Sequence, residues 1–80
     1  MIEVLLFGAA ADRAGTRKIQ LELEGGTTLA EVWPRLVDRH PELSSMRDTL
    51  AFAVNGEYAR MDERVGPGDE VAVLPPVSGG

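Results

Sequence analysis

The sequence predicts an α+β fold: a mixed sheet of about five strands, one main helix packed on one face, and an extended C-terminal tail. Three observations predict it. IEVLLF (2–7) and EVAVLP (70–75) are apolar on both faces, as strands in the middle of a sheet are. TTLAEVWPRLVDRH (27–40) carries apolar residues at helical spacing. AFAVNGEYAR (51–60) sets Asn55-Gly56 between two arms, a strong hairpin signal because both turn positions need positive φ.

Each element follows in order. In the first strand Ile2, Val4 and Leu6 point one way, and Leu5 and Phe7 the other. GAAADRAG holds one alanine-rich helical turn, with Gly15 placed to end it in the left-handed conformation. RKIQLELEG (17–25) alternates: Ile19, Leu21 and Leu23 inward, Lys18, Gln20, Glu22 and Glu24 outward. That is a strand with one wet face, paired antiparallel to the first. In the helix, Thr28 and Glu31 have capping-box spacing, and Leu29, Val32, Trp33, Leu36, Val37 and His40 recur at helical spacing. Pro34 lies inside it and predicts a kink or a later start. Pro41 marks the exit. ELSSMRDTL reads as a polar connector and MDERVGPGD as turns. In the hairpin, Phe52 and Val54 share a face.

Apolar faces on both sides place the first and last strands next to each other in the middle of the sheet, where they are expected to run parallel with the helix across one sheet face. That arrangement is the β-grasp, or ubiquitin-like, fold. The domain runs over 1–74 and a flexible tail over 75–80.

Composition excludes several functions. The chain of 80 residues has no cysteine, which removes a thiol nucleophile, a CxxC redox pair and any thiolate metal site. Aromatics are 5%, so aliphatic packing dominates. A formal charge of −5 disfavours nucleic-acid phosphates and anionic membranes as partners. No apolar run is long enough to span a membrane, and MIEVLLF lacks the features of a signal peptide, so a cytoplasmic location is expected.

Few residues carry chemistry. Asp62-Glu63 and Asp69-Glu70 are adjacent pairs whose side chains diverge, which suits solvated turns better than a metal. His40, at the predicted helix C-terminus, has no serine or carboxylate spaced to form a triad with it. GPGDE contains a GxG, but a strand follows where a phosphate loop needs a helix. Trp33 reads as core. Leu5, Phe7 and Leu74 lie where one sheet face is uncovered, which marks a partner interface unless loops cover it. The tail is the remaining feature. Pro75 and Pro76 favour an extended stalk, Val77 and Ser78 follow, and Gly79-Gly80 present an unhindered α-carboxylate suited to acyl activation.

IEVLLFG, AVNGEYA and above all GPGDEVAVLPPVSGG resemble the small, sulfur-carrying subunit of molybdopterin synthase, within the wider ubiquitin-fold group that includes thiazole-pathway carriers. The resemblance covers nearly the whole chain. It implies that Gly80, with Gly79 as its slender neighbour, is adenylated by an E1-like activating enzyme that uses ATP. The adenylate is then converted to a thiocarboxylate with sulfur from a sulfurtransferase. The tail would enter the large synthase subunit and give sulfur to cyclic pyranopterin monophosphate, forming the dithiolene. The implied assembly is a heterotetramer, and this chain alone is neither catalytic nor expected to bind a cofactor. The alternatives are a sulfur carrier for thiamine thiazole synthesis, a ubiquitin-like protein modifier, and a β-grasp binding module with an inert tail.

Overall fold

The computed structural model describes residues 1–23 and 25–75. Among the described residues there are seven strands: β1 (Ile2–Leu6), β2 (Lys18–Leu21), β3 (Thr27–Thr28), β4 (Ala51–Val54), β5 (Glu57–Tyr58), β6 (Arg64–Val65) and β7 (Glu70–Leu74). The helices are α1 (Gly8–Ala14), α2 (Leu29–Arg39) and a 3-10 helix, Pro41–Thr49. Five strands form one sheet in the order β2-β1-β7-β4-β5, and β3 pairs with β6 in a separate ladder. β1 and β7 are parallel at the centre with only one of their two apolar faces buried, and the other pairs are antiparallel.

The core lies on one face of this sheet. Ile2, Val4, Leu6, Ile19, Leu21, Phe52, Val71 and Val73 are buried there against Leu29, Val32, Leu36, Ala10 and Leu43. Trp33 packs at the edge of this cluster, its ring perpendicular to that of Phe52 with centroids 5.6 Å apart. Among the described residues no buried side-chain polar atom lacks a hydrogen-bond partner.

Several elements differ from the sequence reading, each for a physical reason. The alanine-rich turn extends to a seven-residue helix because Ala10 is fully buried in the core. Gly15 ends it as expected, at φ 73° with its N–H donating to the Ala11 carbonyl at 2.9 Å. β2 stops at Leu21, with Leu23 half-buried beyond it, while Glu24 lies outside the described residues. Thr28 is the N-cap of α2, but its side chain makes no capping bond. The Leu29 and Ala30 amides donate instead to the carbonyls of Glu63 and Met61, at 3.1 and 2.9 Å. α2 starts where predicted and includes Pro34. Both Pro34 and Ala30 are exposed, so water can reach the carbonyl that Pro34 leaves without a donor.

The expected polar connector is the nine-residue 3-10 helix, which buries Leu43 completely and half-buries Met46. Leu43 and Met46 are three apart, which places them above one another in a 3-10 helix. The turn-rich segment contains β6, whose Val65 is buried opposite Thr27.

Candidate functional site: an open sheet face at the root of the tail

The face of the sheet opposite the core is the site's floor. Strand registers define one row across all five strands: Lys18, Leu5, Ala72, Ala53 and Tyr58. Leu74 faces Ala51 one step further toward the tail. Phe7 continues β1 in an extended conformation, so alternation puts it on the same side as Leu5. Its amide donates to the Val73 carbonyl at 3.1 Å, which fixes it beside the end of β7.

Leu5 and Leu74 are half-buried, Phe7 is 44% exposed and Tyr58 is 70% exposed. Three small residues, Ala51, Ala53 and Ala72, keep the floor shallow between these larger groups. The three predicted interface residues are thus brought together. Phe52 turns the other way, into the core. Tyr58 was not among the predicted interface residues. The signal for it lay in the hairpin: a two-residue turn pairs Val54 with Glu57 and Ala53 with Tyr58, which puts Tyr58 opposite to Phe52.

The lower end of this face is polar. Glu3 lies between Gln20 and Glu70 in register, and its carboxylate is 3.7 Å from the Lys18 ammonium.

The upper end is where the tail leaves. Pro75 is exposed and packs near Gly8, whose φ is +57° and whose added Cβ would sit 3.5 Å from the Pro75 ring. A groove of ≈ 520 Å³ opens beside it, lined by Leu5, Leu6, Phe7, Gly8, Ala11, Asp12 and Arg17. Pro76, Val77, Ser78, Gly79 and Gly80, the predicted reactive tail, lie outside the described residues.

The start of β7 is held by a polar latch. Asn55 Nδ2 donates to Asp69 Oδ1 at 3.0 Å, and the Gly66 amide donates to Asp69 Oδ2 at 2.8 Å. The Glu70 amide donates to Asn55 Oδ1 at 3.0 Å, and the Asn55 amide to the Glu70 carbonyl at 2.8 Å. The Asn55 side chain, and then the Gly66 amide, hold the Asp69 carboxyl below the usual carboxylate range. Both Asp69 oxygens therefore have donors within the chain. GPGDE forms a turn, with Gly68 at φ 90° and β7 following. His40 caps the end of α2, and its Nδ1 lies 3.2 Å from the Glu42 carboxylate. Glu42 is lowered chiefly by a backbone hydrogen bond, with His40 adding to it. Among the described residues no group of three or more His, Asp or Glu is placed to hold a metal ion. No described helix is long and apolar enough to cross a membrane.

A mixed sheet in this order, with a helix crossing one face between β2 and β4, is the ubiquitin-like β-grasp fold. The crystal structure of SAMP1 from Haloferax volcanii shares it with a TM-score of 0.88 and 36% identity, covering 99% of this chain and 98% of that one. The chain belongs to the ThiS family, whose model matches residues 4–80. It is 35% identical to the human molybdopterin synthase sulfur carrier subunit, over 99% of this chain and 93% of that protein. It is 36% identical to small archaeal modifier protein 1 of Haloferax volcanii, over 99% of this chain and all, 100%, of that protein.

Proposed function

We propose that this protein is the sulfur-carrier subunit of a molybdopterin synthase, with the C-terminal carboxyl of Gly80 as its reactive group. The observation that supports the reading is the 35% identity to the human molybdopterin synthase sulfur carrier subunit over 99% of this chain, together with a family match that extends to residue 80. An E1-like enzyme joins the carboxylate to the α-phosphate of ATP, releasing pyrophosphate. AMP is a good leaving group, so the outer sulfur of a sulfurtransferase persulfide displaces it, and a thiol then cleaves the resulting acyl disulfide reductively to leave a thiocarboxylate. Glycine offers no Cβ to obstruct either attack. The charged tail then delivers sulfur to cyclic pyranopterin monophosphate inside the large subunit, which supplies the acid–base groups.

The open face supports this division of labour. An apolar surface with two exposed aromatic rings, next to the tail's root, lets a partner hold the domain while it receives the tail. The direct test is reconstitution of the thiocarboxylated protein with a large subunit and pyranopterin precursor. Dithiolene formation is expected; its absence, with thiazole formation in the parallel assay, would move the chain to the thiamine branch.

A second reading, protein modification, has one specific observation in its favour: the identity to the archaeal modifier protein. It predicts isopeptide conjugates of higher mass in cells expressing the tagged chain.

A further inference from the structure

We infer that Lys18 is the chain's own acceptor for its activated carboxyl terminus, so that the carrier is open to self-acylation at one position. The inference rests on the carrier reading, which makes the terminus an acyl electrophile. Of the eight Lys and Arg side chains, Lys18 alone is a lysine and the rest are arginines. A guanidinium stays protonated and does not attack acyl groups, whereas an amine does. The chain therefore has a single side-chain amine.

Its position makes that amine consequential. Lys18 lies on β2, at the edge of the sheet, on the open face and directly opposite Leu5. Its side chain is 61% exposed, and Glu3 at 3.7 Å is its ion-pair partner. β1 separates β2 from β7 and Lys18 stands level with Ala72, three residues before Pro75, so Lys18 is about 10 Å across the sheet and about 10 Å back along it from the root of the tail, roughly 14 Å in all. The six residues from Pro75 to Gly80 span at most about 20 Å when extended. The chain's own activated carboxyl can therefore reach Lys18, at the high effective concentration of an intramolecular reaction. A second copy's tail meets the same amine.

In the reaction the Lys18 nitrogen, after losing a proton to solvent, attacks the carbonyl carbon of the Gly80 acyl adenylate. The carbon–oxygen bond to AMP breaks, AMP departs, and the nitrogen sheds its remaining extra proton as the isopeptide forms. ATP is the only co-reactant. The product has lost the carboxylate that would carry sulfur, and it carries a chain across the row containing Leu5. It can be neither charged nor docked. Prompt sulfur transfer to the adenylate is then a protective step as well as a productive one.

The test incubates full-length protein with an E1-like enzyme and ATP, with and without a sulfide donor, and follows AMP release and intact mass. Without sulfide, AMP release should be accompanied by species one water lighter than one chain or than two chains, with the isopeptide mapped to Lys18. Sulfide should suppress them. Lys18→Arg should lose the adduct while still releasing AMP normally when sulfide is supplied. An adduct that persists in Lys18→Arg or maps to the Met1 amine overturns the inference, as does normal AMP release with no adduct. AMP release only when sulfide is present overturns the inference and leaves the carrier reading standing, whereas no AMP release even with sulfide overturns the carrier reading and this inference with it.

Discussion

Asp69 shows how one side chain sets the geometry of the tail's strand. Its two oxygens tie the Asn55 turn and the Gly66 turn to the start of β7. The folded state holds its pKa down, so the fold favours the ionised form. The latch's contribution is thus complete above the ordinary aspartate range and fades as pH falls through the lower folded value. Asp69→Asn, whose single amide oxygen cannot serve both donors, should lower Tm at neutral pH. The gap to the wild type should narrow below about pH 4; a gap independent of pH would show that the charge is irrelevant. At the other end of β7, Gly8→Ala forces a side chain into left-handed geometry beside Pro75, at a cost of roughly 1–2 kcal/mol. Chemical denaturation should register that loss; an unchanged midpoint would mean that Gly8 is not constrained. Gly15 and Asn55-Gly56 were readable beforehand because positive φ restricts residue choice. The Asp69 latch was not, since Asn55 and Asp69 meet only through the pairing of β4 with β7.

Among the elements, legibility followed length and periodicity. β1 and β7 were plain because each is a continuous apolar run of strand length, one face of which packs on the core while the other stays open. β3 and β6 are two residues each, too short for any alternation to show. The 3-10 helix was hidden because its surface residues outnumber Leu43 and Met46, and because its period is not that of an α-helix. The capping box was legible but unused: Thr28 makes no side-chain bond, and tertiary carbonyls take the Leu29 and Ala30 amides. Two substitutions test this account of the helices. Leu36→Ala, at a fully buried site, should cost about 2–5 kcal/mol. Pro34→Ala restores a donor for the Ala30 carbonyl on the solvent side and should raise stability, by at most about 3 kcal/mol. A destabilised Pro34→Ala protein would mean that the proline ring packs more than its exposure indicates.

For the whole molecule, the fold divides into a core face that stabilises and an open face that presents. The partner face was partly legible: Leu5, Phe7 and Leu74 follow from strand alternation, whereas Tyr58 becomes significant only once β5 is placed at the sheet edge. If that face docks the large subunit, Tyr58→Ala and Leu5→Ala should each weaken binding, Tyr58→Ala by about 2 kcal/mol or more. Both variants should unfold near the wild-type midpoint; wild-type affinity in both would remove the open face from the interface.

The central claim is that Gly80 carries the sulfur, and intact-mass spectrometry tests it most directly. After incubation with ATP, an E1-like enzyme and a sulfur donor, the full-length protein should gain the mass of sulfur in place of one oxygen, and a variant lacking Gly80 should not. An unchanged wild-type mass, with the same enzyme active on another carrier, would contradict the account.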